Sequence, residues 1–270
     1  MNAVLNLRIG ATQLALEGER LPATMLDDMQ RRYAAFVDGA SSASTAMRIT
    51  MSVRPGAPWL PLRTDAPLPL RTQRCGSCVT CVTPTEAGFF DLTQRRGRVV
   101  LRPHGNVENC LRVLVGWDAA QRGGLLLHAS GVVRAAGAFV FFGPSGAGKS
   151  TVARLSAQWP VLSDDLVLIE CTPTGYQACG VPFRGNEWTA PRLNLWAPLA
   201  GLLALEQAPR HARLPLPQGA AVARLVACTP FVTTCPQGAA MVMHAAAAMT
   251  AVAPVVRLQF RKDEHFWEVL

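Results

Sequence analysis

Gly143-Pro144-Ser145-Gly146-Ala147-Gly148-Lys149-Ser150-Thr151 is the stretch on which the reading of the chain turns. It satisfies G-x-x-x-x-G-K-[ST], the phosphate-binding loop pattern, between an apolar run (Ala138 to Phe142) and a helix-compatible stretch (Ser150 to Trp159). The glycines let the backbone curl so that its N–H groups face phosphate oxygens, and the start of the helix adds positive potential. Lys149 is then expected to reach the β and γ phosphates of ATP, and the Ser150 hydroxyl to ligate Mg²⁺. Gly143, Ser145, Gly146, Ala147, Gly148 and Thr151 complete the expected nucleotide-binding set. The only lysine besides Lys149 is Lys262, although Lys and Arg together number 26, so Lys149 is a point charge kept where arginine is the rule.

Two constellations flank the loop. Upstream, Leu125 to Val133 and Ala138 to Phe142 are separated by Arg134-Ala135-Ala136-Gly137, which predicts an antiparallel strand pair with a tight turn. His128 lies in the first run, where the hairpin would bring it beside the loop-bearing strand. There it can hydrogen-bond a catalytic carboxylate, or it can be a satisfied core histidine. Downstream, Val161-Leu162-Ser163-Asp164-Asp165 ends a short apolar run. Side chains alternate along an extended chain, so one carboxylate can face Mg²⁺ while the other acts as general base toward a hydroxyl. The alternative is a solvated turn before Leu166 to Glu170.

Taken together, His128-Ala129-Ser130-Gly131, the following strand, the phosphate loop and Asp164-Asp165 resemble the HPr kinase/phosphorylase superfamily. That superfamily shares its core with ATP-type phosphoenolpyruvate carboxykinases. The resemblance covers Leu125 to Glu170 and implies an α/β fold with a P-loop kinase core of mixed sheet and helices. By position it also implies His128 as the assisting group, Asp164 as the base that activates a serine hydroxyl, and Asp165 as the metal partner beside Ser150. Val181-Pro182-Phe183-Arg184-Gly185 resembles a downstream loop of the same group, which implies that Arg184 neutralises transferred phosphate. The E-x-x-x-R-G signature of the bifunctional enzymes is missing, so the resemblance is to a paralogue rather than to the HPr-acting enzyme. Some members of that group resemble tailoring kinases for ribosomally made peptides.

The rest of the chain bounds this picture. At 270 residues, 50% apolar and 16% charged, it has material for two folded units and little for disorder. Residues 1–115 read as a small N-terminal α+β unit that recognises substrate, and 116–270 as the catalytic domain. In the first unit, Ala3 to Ile9, Ala46 to Val53 and Arg98 to Leu101 read as strands, and Pro22 to Phe36 and Asn106 to Asp118 as helices. Arg54 to Arg74 reads as a proline-rich irregular connection, and Arg122-Gly123-Gly124 as a turn. A net charge of +8 raises the question of nucleic acid, but the arginines are scattered and lack interleaved aromatics, so nucleic-acid binding is not expected.

No export signal or spanning segment is evident, and Ala239 to Val256 suits a packed helix, so no membrane association and a cytoplasmic location are expected. Cys75, Cys78 and Cys81, with Cys110, have a spacing that invites zinc or an iron–sulfur cluster. The irregular surroundings and the missing second pair favour incidental or redox-active thiols. Cys171, Cys179, Cys228 and Cys235 read as small core hydrophobes. The expected activity is ATP- and Mg²⁺-dependent transfer of the γ-phosphoryl group to a hydroxyl, with serine of a protein or peptide as acceptor. A regulatory ATP-binding module and a small-molecule kinase are the alternatives, and homo-oligomerisation is left open.

Overall fold

A computed structural model describes residues 3–39, 46–56, 60, 69–183 and 191–270. The chain is mixed α/β and forms two compact units, Met1–Asp118 and Ala119–Leu270.

The first unit is built on one seven-stranded sheet. Strands β1 (Ala3–Ile9) and β2 (Thr12–Glu19) form a hairpin, and Gly10 supplies the left-handed φ of 58° at its turn. Helix α1 (Ala23–Tyr33) is the crossover that lets β2 pair in parallel with β3 (Met47–Val53). It buries Met25, Met29 and Tyr33, spaced so that they share one face. A meander follows: β4 (Arg71–Cys75), β5 (Cys78–Val82), β6 (Glu86–Asp91) and β7 (Arg96–Leu101), with β7 parallel to β3. The strand order is β1-β2-β3-β7-β6-β5-β4. The sequence reading missed β2 and β4 to β6; in β4 and β5 the alternation of burial is carried by Thr, Arg, Gln and Cys rather than by an aliphatic run, and β2 and β6 hold too few apolar residues in alternation to stand out. Of the proline-rich stretch, 57–59 and 61–68 lie outside the described residues, and β4 begins at Arg71.

Cys78 and Cys81 stand three apart on β5 and therefore point to opposite faces, one half-buried and one buried. The C-x-x-C-x-x-C set does not converge for that reason. Among the described residues no group of three or more His, Cys, Asp or Glu is arranged to hold a metal.

Helix α2 (Glu108–Gln121) begins on a buried carboxylate. Glu86, fully buried, accepts hydrogen bonds from the backbone N–H groups of Asn109 (3.1 Å) and Cys110 (3.0 Å). An anion is favoured at a helix start, yet burial outweighs those bonds and lifts the Glu86 carboxyl from 4.5 to about 7. The stabilisation from proton uptake is fully present below pH 4.5 and is lost as pH rises to about 7. It amounts to roughly 3 kcal/mol across that window. Glu86→Gln keeps one of the two acceptor oxygens and removes the titration, so the variant is less stable overall but its unfolding free energy is expected to lack this part of the wild-type decline. Denaturant titrations of both proteins at about pH 5 and pH 7 check this, and parallel pH dependences would refute it.

The second unit contains β8 (Leu125–Arg134), β9 (Gly137–Phe142), α3 (Lys149–Leu155), β10 (Val161–Ser163), β11 (Leu166–Thr172) and β12 (Gly175–Cys179). They are followed by β13 (Trp196–Gln207), β14 (Ala212–Pro215), α4 (Gln218–Ala227), α5 (Pro236–Val252) and β15 (Val255–Phe260). The expected β8–β9 hairpin is present, with Arg134 opposite Gly137. β8 pairs with β9 along one edge and with β10 and β11 along the other. β11 pairs with β12, β12 with β13, and β13 with β9, so the ladders close into a circuit around β8. β13 is parallel to both β9 and β15.

Two elements differ from the sequence reading. The helix expected over Ser150 to Trp159 stops at Leu155, where the buried Ser156 hydroxyl accepts a hydrogen bond from Trp267 Nε1 at 3.1 Å. The apolar stretch Ala239 to Val256 divides at Pro254 into the end of α5 and the start of β15. Behind α3 lies the unit's core, in which Phe141, Phe260, Phe266 and Trp267 pack with Val132, Val152 and Leu203. Phe141 meets Phe266 and Trp267 edge-on, and the Arg134 guanidinium covers the faces of Trp159 and Trp267 at 4.5 and 4.6 Å. Cys179 and Cys228 are buried as expected, whereas Cys171, next to the last residue of β11, is exposed and Cys235 is half-buried. Among the described residues no helix is long and apolar enough to cross a membrane.

Candidate active site

The loop between β9 and α3 holds its shape through three features of its own sequence. Gly146 and Gly148 take left-handed φ values of 79° and 110°. At Gly148 the ring of Phe260 occupies the space a Cβ would need, so the position admits glycine on both counts. The Lys149 ammonium folds back and donates to the carbonyls of Gly143 and Pro144, each at 3.0 Å.

Lys149 is 6% exposed. Burial lowers its pKa from the ordinary lysine value, while the nearby Cys228 and Asp165 oppose that shift. Ser150 and Thr151 follow it, half-buried, in the first turn of α3.

A cavity of about 680 Å³ opens over this loop, within the range of about 300–1,000 Å³ in which small ligands are held. Gly143 to Ala147 line one side, and His128, Gln207, Arg224 and Cys228 are among the residues on the others. The cavity lies at the carboxyl ends of the parallel strands β9 and β13, where open α/β sheets take their ligands. Gln207, at the end of β13, donates from Nε2 to the Gly146 carbonyl at 2.6 Å and fastens the loop from outside. Arg224 brings a second cation from α4. Sequence reasoning missed Gln207, Arg224 and Cys228. They lie more than fifty residues beyond the loop in unremarkable stretches; the β9–β13 pairing brings Gln207 to it, and the His128 N–H to Cys228 carbonyl bond brings in the end of α4.

The paired aspartates owe their position to the residue before them. Ser163 Oγ accepts the N–H groups of both Asp165 and Leu166 at 3.2 Å, which turns the chain sharply between β10 and β11. Without that turn the two strands would run as one past β8, and the aspartates would sit in a ladder. The Asp165 carbonyl accepts from Ala129 N–H at 3.0 Å, and Leu166 lies opposite His128. His128 Nε2 thereby comes 3.5 Å from Asp165 Oδ1. His128 is itself held by its N–H, which donates to the Cys228 carbonyl at 2.7 Å.

Asp164 turns elsewhere. It is 5% exposed and borders a small recess with Val181, Phe183 and Arg192. The histidine therefore partners Asp165, whereas the sequence reading joins it to Asp164. Arg184 lies outside the described residues.

The arrangement can hold an anion on a loop of backbone amides beside a buried ammonium. It also brings a carboxylate–imidazole pair to the same cavity through His128. No curated protein matches the chain. A family model does, over residues 106–270, a span that includes the phosphate loop, His128 and both aspartates. Because that span is more than half of the chain, the protein belongs to the family described as SynChlorMet cassette protein ScmC.

Proposed function

We propose that the chain is a Mg-ATP-dependent kinase, similar to the HPr kinase-related P-loop kinases, that transfers the γ-phosphoryl group to a serine hydroxyl of a protein or peptide. The observation that carries this reading is one cavity lined by both the Gly143–Ala147 loop and His128, with the Lys149 ammonium bound to the loop carbonyls and Asp165 3.5 Å from the imidazole. A nucleotide-binding module with no acceptor has no use for a carboxylate backed by an imidazole beside its phosphate site. That pair favours transfer over mere binding.

In this reading the Gly143–Gly148 backbone receives the β and γ phosphates of Mg-ATP. Lys149 exchanges the Gly143 and Pro144 carbonyls for phosphate oxygens, so a charge already present in the site needs little reorganisation. Ser150, in the first turn of α3, would hold the Mg²⁺ of that complex through its hydroxyl, and the metal would offset the charge on the phosphates. Asp165 takes the proton of the acceptor hydroxyl at its carboxylate, and His128 orients that carboxylate and shares the proton. This gives Asp165 the base role, and Asp164 a structural one beside the 181–183 segment.

The test is transfer of γ-labelled phosphate from Mg-ATP into a lysate of the source organism, with the labelled residue identified by mass spectrometry. An acid-stable phosphoserine on one polypeptide is the expected result. Absence of protein label from a preparation shown to bind Mg-ATP would overturn the proposal, and label in a small metabolite would replace the acceptor class.

A further inference from the structure

The cysteines contain a pair that nothing in the phosphate site uses. Cys81 on β5 and Cys110 in the first turn of α2 bring their sulfurs to 2.8 Å, and both side chains are fully buried. They lie 29 residues apart in sequence and meet because β6 returns the chain across β5 before α2 begins. Gly88, on β6 opposite Cys81, makes the room, since a Cβ there would stand 2.8 Å from the Cys110 sulfur. Glu86 binds the N–H of Cys110 itself and so fixes the turn from which that sulfur projects. The pair is thus held from both sides, by strand pairing and by a buried hydrogen bond.

We propose that Cys81 and Cys110 are an oxidisable pair that closes into an intramolecular disulfide tying β5 to α2. A bond length of about 2.05 Å requires the sulfurs to approach by only about 0.8 Å. With hydrogen peroxide, two thiols give one disulfide and two waters. With a disulfide oxidant such as oxidised glutathione, the bond forms through a mixed disulfide and two glutathione thiols leave. Burial pushes the Cys110 thiol well above its ordinary pKa, so it reacts slowly while the unit is folded. The same enclosure keeps external thiolates from the closed bond, which makes it a lasting cross-link rather than a rapidly cycling one.

Cys75 and Cys78 supply an internal comparison. They face each other across the β4–β5 hairpin, Cys75 exposed and Cys78 half-buried, and they are more open to any oxidant in solution. Alternation along β5 turns Cys78 away from Cys81, so the two pairs cannot exchange partners within the folded sheet.

The experiment uses the full chain, first reduced, then incubated with oxidised glutathione, unfolded in the presence of an alkylating agent and digested without reduction. The expected result is a Cys81–Cys110 cross-linked peptide, a melting temperature above that of the reduced protein, and retention of both in Cys75→Ser. Cys110→Ser is expected to lose both. Because the cross-link is mapped on the wild-type chain, poor folding of a variant does not bear on whether the bond forms. Recovery of Cys81 and Cys110 both alkylated, or of either one joined to another cysteine, would overturn the proposal.

Discussion

Lys149→Met is expected to leave the chain folded while lowering transfer from Mg-ATP by about 10²–10³-fold, together with a marked loss of nucleotide affinity. The two halves of this expectation have different causes. In the free protein the ammonium is buried and bonded to the Gly143 and Pro144 carbonyls, and burial holds its pKa below 10.5. Replacing a desolvated charge by an apolar side chain of similar length is close to neutral for stability, or favourable. Function is another matter, because a positive charge next to the loop amides is the preorganised partner of the transferred phosphoryl group. Arg224 remains in the cavity and accounts for a residue of binding.

The pH dependence separates the same two effects. Lys149 binds its proton more weakly folded than unfolded, so the unfolded chain holds more protons in the window below 10.5. Wild-type stability gains from this group as pH rises through that window, and the variant lacks the gain. Calorimetric titration with Mg-ATP and thermal melts at neutral and alkaline pH measure both. An unchanged affinity for Mg-ATP would remove Lys149 from the site.

How much of the molecule is legible without its fold follows from where each signal resides. The phosphate loop can be read because its function depends on backbone curvature, which only a particular spacing of glycines permits. The structure shows the same constraint at Gly148 against Phe260. The β8–β9 hairpin is legible for a similar reason, since Arg134 to Gly137 has to be a turn between two apolar runs. The cavity's far side is not legible. Gln207 reaches the loop because β13 lies parallel to β9, and Arg224 lines the cavity from α4; neither the parallel pairing nor the placement of that helix leaves a local mark in sequence.

Much of the first unit escapes for a related reason. A sheet whose strands alternate Cys, Thr and Arg with small residues has little apolar contrast at period two, although its burial alternates clearly. The division of labour between Asp164 and Asp165 is likewise out of reach. Alternation predicts that adjacent side chains diverge, but which one meets His128 depends on the turn closed by Ser163 Oγ. A serine before two aspartates carries that information only once β10 and β11 are known to share β8 as a neighbour.

That turn makes the two aspartates experimentally separable. Asp165→Asn is expected to bind Mg-ATP like the wild type and to transfer phosphate about 10²–10⁴-fold more slowly, the range contributed by a positioned general base. Asparagine keeps the shape, and the Asp165 carbonyl contact to Ala129 is made by backbone, so the fold around the turn has no reason to change. What disappears is the capacity to accept a proton next to His128. Asp164→Asn is expected to do the opposite. Its carboxylate is 5% exposed and borders the recess shared with Phe183 and Arg192, so the variant loses melting temperature while transfer stays within about tenfold of wild type. Initial rates, nucleotide affinity and melts on both variants decide the assignment. If Asp164→Asn abolishes transfer with the fold intact and Asp165→Asn retains it, the base is Asp164, and the 3.5 Å approach of His128 to Asp165 is a structural contact in the β8–β11 pair.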